Sequence, residues 1–98
     1  MSVISGSTQG NSQPDNVTSG DWTITVTGTY ACGSTVQPFD LSSATMTAGR
    51  YVLVRASSIT GYVGATVTPP SGRTVYSTSQ EPVNFAGTTY QCIVVTLV

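Results

Sequence analysis

The chain has no lysine and no histidine. Its charged residues are Asp15, Asp21, Asp40, Glu81, Arg50, Arg55 and Arg73, 7% of 98 residues, against about 25% in ordinary soluble domains. Each absence closes a class of chemistry. Without histidine neither a Ser-His-Asp nor a Cys-His nucleophile can be assembled, and without lysine there is no amine for a Schiff base. The two cysteines supply at most half of a tetrahedral zinc shell. Three arginines against four carboxylates cannot form the basic face that phosphate neutralisation requires, so nucleic acid is not an expected partner. No run reaches the roughly 18 apolar residues of a membrane span, so a membrane is not expected either. Strong helix formers are few and no 3.6-residue apolar stripe occurs, which leaves no helix to expect. "GSTQGN" is followed by no lysine and opens no helix, so it is not a phosphate cradle. Asp21, Asp40 and Glu81 could contribute a carboxylate pair for glycoside cleavage, but each lies beside a turn or edge signal, where capping roles are ordinary. No loop has calcium-ligand spacing. The expectation is a protein that is not an enzyme and carries no cofactor or metal.

What is present is hydroxyl-rich and β-patterned. Serine and threonine number 30, and the apolar 39% is gathered into Val, Ile, Leu and Tyr segments. "WTITVTGTY" alternates Trp22, Ile24 and Val26 with Thr23, Thr25 and Thr27, a half-buried strand with a threonine ladder on its outer face. "TVQPFDLSSATMT" is interrupted by Pro38 and reads as an edge strand or a strand-loop-strand. "RYVLVRA" is apolar on both faces between its arginines, the pattern of an interior strand. "SSITGYVGATVT" continues as a strand whose Gly61 and Gly64 point to a bulge or a close backbone approach. "PPSG", Pro69 to Gly72, reads as the turn of a hairpin into "RTVYSTS". Ala86-Gly87 makes another turn before "TTYQCIVVTLV", where Tyr90, Cys92 and Val94 share one face and Ile93, Val95 and Leu97 the other. Six to eight short strands joined by Gly/Pro/Ser turns predict an all-β domain at 21–98, a sandwich or a small barrel. Residues 1–20 are mainly Ser, Gly, Asn, Gln and Thr, broken by the apolar pair Val3-Ile4 and by Pro14, and read as an extended N-terminal arm, either a loose terminus or a segment docking on a neighbour through Val3 and Ile4.

The only cysteines, Cys32 and Cys92, each follow a tyrosine by two positions, in "GTYAC" and "GTTYQC". Both are in phase with strand positions facing a core. They form a disulfide if their strands face each other, or stay as buried thiols. Asn16-Val17-Thr18 fits the glycosylation pattern, one that arises often by chance. Trp22, Tyr30, Tyr51, Tyr62, Tyr76 and Tyr90 include candidates for a sugar-stacking platform, with packing as their default role. Arg50, Arg55 and Arg73 sit at strand ends, where they either pair with carboxylates of a neighbouring subunit or keep the ends soluble.

The spacing of the cysteines, with "AGTTYQC" and Tyr90 before the second, resembles an immunoglobulin-type domain and implies its sandwich architecture. The run carries one extra threonine and no opening aspartate, and no tryptophan follows Cys32. In overall character the chain is similar to small virion proteins of tailed bacteriophages, above all capsid decoration proteins. That resemblance implies a structural protein made in a host cytoplasm without a signal peptide, carried in the virion and bound to the major capsid protein or other virion subunits. It also implies several copies per assembly or a homo-oligomer. Contacts are then expected from Val3, Ile4, Arg50, Arg55 and Arg73, and from Leu97 and Val98, since an apolar strand at the chain's end must be central in its sheet or paired with another chain. A tail or fibre component is a variant of this reading. The rival is a carbohydrate-binding or adhesive surface module.

Overall fold

A computed structural model describes residues 2–8, 11–12, 17–19, 24–85 and 87–98, with side chains from residue 24 onward. Trp22 lies outside the described residues, and of Val3 and Ile4 only the backbone is described. Among the described residues the protein is all-β. Its strands are β1 (Ser2–Thr8), β2 (Asn11–Ser12), β3 (Val17–Ser19), β4 (Ile24–Ala31), β5 (Gln37–Thr45), β6 (Gly49–Thr60), β7 (Ala65–Thr68), β8 (Val75–Phe85) and β9 (Thr88–Leu97).

Two sheets form. A small one has the order β1-β5-β7; in the larger, β2-β3-β6-β9-β8, β4 also pairs with β6. From β4 to β8 the chain alternates between them, so β4 runs parallel to β6 and β5 parallel to β7. After β4 it folds back antiparallel at the last strand alone, where β9 inserts between β6 and β8, as β2 and β3 do earlier in the chain. The expected sandwich is present, but immunoglobulin-type sheets are antiparallel, and this connectivity is distinct from theirs.

The alternation corrects two expectations. β7 and β8 do not form a hairpin, because the turn at Pro69–Gly72 carries the chain from the small sheet to the large one. β5 is central rather than an edge, and it tolerates Pro38 because pairing with β1 begins one residue later, at Phe39. Within 1–20, the described pieces are strands built into the chain's own sheets: β1 lies parallel to β5 and β3 parallel to β6.

The main core fills the space between the sheets. Phe39, Leu41 and Ala44 of β5 meet Tyr51, Leu53 and Val54 of β6 and Ile93, Val95 and Leu97 of β9. Burying a Leu or Ile side chain of this kind contributes roughly 1.5–3 kcal/mol. Strict alternation would put Leu53 and Val54 on opposite faces, yet both enter this core. The ladder explains it: Val52 pairs with Val94 and Val54 with Ile93, so Leu53 is the extra residue of a β-bulge. A second cluster lies on the other face of the large sheet, where Val52, Val83, Phe85, Cys92 and Val94 are buried beside Tyr90. β9 therefore has both faces buried, as its sequence requires.

Candidate interaction surface

β4 exposes Thr25, Thr27 and Thr29 while its alternate residues are half-buried. The exposed row is uncharged, and Thr29 hydrogen-bonds the Ser58 hydroxyl on β6 at 2.7 Å. Charge is scarce, and of the five charged side chains among the described residues three are engaged within the chain. Arg50 and Glu81 form an ion pair joining β6 to β8 across the intervening β9, and the Ser79 hydroxyl donates to the other Glu81 oxygen at 3.0 Å. Arg55 is held differently. Its guanidinium carbon sits 4.8 Å from the centroid of the Phe85 ring and 4.9 Å from that of Tyr90, two rings in edge contact at 5.8 Å. Arg55 Nε is buried there without a hydrogen-bond partner. Asp40 accepts from the Ser42 amide at 2.9 Å, and the Ser42 hydrogen bonds hold its carboxyl below the usual range. Asp40 and Arg73 are thus the described charges held in neither an ion pair nor a ring contact.

The cysteines do not meet. Cys32 packs in the main core and Cys92 in the cluster on the opposite face of the large sheet, and both are free thiols. The Cys32 amide bonds Thr60, whereas Cys92 is paired with Arg55, on the far side of the same β6 strand. Five positions along a strand are roughly 16 Å, beyond the roughly 7 Å Cα separation a disulfide tolerates. The expected crosslink is corrected to two buried thiols. Burial raises the pKa of both, Cys92 to about 11 even though Arg55 lowers it in part. Neither is poised as a nucleophile.

Leu97, expected at an interface, is instead 1% exposed in the main core, because β9 is central and Leu97 lies between Gly49 and Val75. Val98 is 55% exposed just beyond it. Of the aromatic candidates, Tyr51 is buried, Tyr30 donates to Gln37 Oε1 at 2.8 Å, and the Tyr62 hydroxyl is buried without a partner. Tyr76 is the tyrosine that stands out into solvent, at 74% exposure. No three His, Cys, Asp or Glu side chains gather among the described residues.

β8 presents the feature that sequence reading missed, a long open edge. It pairs only with β9 among the described strands. Which of its backbone groups face outward follows from the end of the ladder, where Thr74 and Val98 exchange both backbone hydrogen bonds at 3.1 and 2.9 Å. Antiparallel pairs alternate between bonded and non-bonded positions. Counting back from Val98, the bonded β9 positions are Thr96, Val94, Cys92, Tyr90 and Thr88, opposite Ser77, Ser79, Glu81, Val83 and Phe85. Thr78, Gln80 and Pro82 therefore direct their backbone outward. Pro82 falls on a position where no ladder N–H is needed, which is where an edge strand accepts proline. Tyr76 is the bulged residue, since Val75 pairs with Leu97 and Ser77 with Thr96.

No protein-family model matches the chain, and no curated protein or solved structure matches it either.

Proposed function

We propose that this chain is a non-catalytic structural protein of a virion, one that binds an assembled capsid and stabilises it. The observation that carries the reading is the fate of the charges: Arg50 and Glu81 neutralise each other, Arg55 lies against two rings, and few described charges are left for the surface. The core of a protein–protein interface is depleted of charged residues. A hydroxyl-rich, low-charge exterior suits burial against other subunits better than a free existence, in which low net charge promotes association. The partners are then the major capsid protein or other virion subunits, and no cofactor enters. Arg55, whose Nε lacks a hydrogen-bond partner, offers a neighbouring carboxylate its remaining donors.

The test is direct. Purified particles should contain the chain at a fixed copy number. Chain added back to particles stripped of it should rebind and raise the temperature at which the shell disrupts. A chain that stays monomeric, fails to sediment with particles and shifts on a glycan array would sink this reading in favour of a carbohydrate module.

A further inference from the structure

We infer that the β8 edge is a homotypic interface, at which two copies of this chain join their large sheets by antiparallel β8–β8 pairing about a two-fold axis. The inference stands on the chemistry of the edge and does not depend on the virion reading.

Thr78 and Gln80 carry outward N–H and C=O groups, and no described strand covers them. Such a row recognises extended backbone with the same alternation. A second copy of β8 provides it, because an antiparallel strand is complementary to itself across a two-fold axis. Pro82 and the Tyr76 bulge bound the usable stretch and select the register. Placing Ser79 opposite Ser79 of the other copy pairs Thr78 with Gln80 and Gln80 with Thr78, so that both outward amides and both outward carbonyls of each copy are satisfied. A shift of two residues toward Pro82 sets that residue, which has no N–H, opposite Thr78 and leaves the Thr78 carbonyl unpaired. A shift the other way runs Gln80 into the bulge.

Charge permits the contact. Edge strands avoid self-pairing through exposed charge, proline and bulges; on β8 the proline and the bulge flank the Thr78–Gln80 stretch and leave it open, so charge is the device that remains to be weighed. The one charge on β8, Glu81, is bound to Arg50 and to the Ser79 hydroxyl of its own chain. Two β8 edges therefore approach without an unneutralised like charge on either, and Val75 to Gln80 contribute only apolar and uncharged residues.

Three measurements on the full chain test this. Light scattering from micromolar to millimolar concentration should show a monomer–dimer equilibrium. Thr78→Pro removes an outward N–H that β9 does not use, so it should weaken dimerisation by about tenfold or more, while circular dichroism and the exchange protection of the β9 amides stay those of the parent. Ser79→Cys should give an intermolecular disulfide under mild oxidation faster than Thr78→Cys or Gln80→Cys, because residues facing each other at a non-bonded antiparallel position bring their Cβ atoms closest; the native thiols are buried and do not compete. If Thr78→Pro unfolds the chain, the crosslinking comparison decides alone. A monomer at millimolar concentration, a dimer indifferent to Thr78→Pro in a folded chain, or equal crosslinking at all three positions would each overturn the proposal. Absence of the chain from particles, with the dimer intact, would overturn only the virion reading.

Discussion

Cys92 stands opposite Arg55 across the β6–β9 ladder, and its thiol is nevertheless held neutral. Burial raises its pKa from an ordinary 9.0 to about 11, and the nearby guanidinium offsets only part of that rise. Between those values the folded chain binds more protons than the unfolded one. The associated stability is complete below about pH 9 and is lost as pH rises through about 11. Thermal melts of the parent should therefore steepen in their pH dependence above pH 9. Cys92→Ala should show a shallower alkaline slope, since the tyrosines are common to both proteins. Parallel slopes would mean that Cys92 ionises freely in the fold.

The separation of the two cysteines has its own consequence. Intact mass under non-reducing conditions should be that of the dithiol, without the loss of two hydrogens. A thiol reagent should label neither cysteine until denaturant is added, because each is almost fully excluded from solvent. Rapid labelling of either in the native protein, or an oxidised mass, would contradict the packing described here.

Much of the fold was legible in the side-chain pattern, and what was not has a physical reason. Alternation reports which residues are buried, so the half-buried β4 and the doubly buried β6 and β9 could be read directly. It does not report which sheet a strand joins. The coiling between sheets was therefore hidden, and the turn at Pro69–Gly72 looked like that of a hairpin. Tyr30-Ala31-Cys32 and Tyr90-Gln91-Cys92 have the same local phase, but only the three-dimensional path puts their thiols in separate clusters. Long-range pairing was equally invisible: Arg50 and Glu81 are 31 residues apart in sequence. The open edge of β8 is a property of sheet order, and its single local signature was Pro82.

Arg55 is predicted to matter through its stem and its stacking more than through its charge. Arg55→Ala removes both ring contacts and the packing of the side chain, and should cost about 2 kcal/mol. Arg55→Met keeps the apolar length and deletes a buried donor that lacks a partner, so it should cost about half as much or less. Urea unfolding of the two variants checks the order. A larger loss in the Met variant would mean that the positive charge itself holds Phe85 and Tyr90 in place.

Gly61 and Gly72 separate backbone strain from steric contact. Both have positive φ, 68° and 80°, so a Cβ at either is conformationally unfavourable, by roughly 1 kcal/mol or somewhat more. At Gly72 that Cβ would meet open space. At Gly61 it would lie 2.9 Å from the Ser34 amide nitrogen and 3.1 Å from that of Gly33, backbone atoms that cannot swing aside. Those two segments are also laced together, since Ser34 N donates to Gly61 O at 3.0 Å and Cys32 N to Thr60 O at 2.8 Å. Gly72→Ala should therefore cost about 1 kcal/mol, whereas Gly61→Ala must push the 33–34 turn away, weaken those bonds and cost about 3 kcal/mol. Equal losses in denaturant unfolding would show that the loops after β4 and β6 yield easily. A large excess at Gly61, with faster amide exchange at Ser34, would show that their close contact fixes this end of the sandwich.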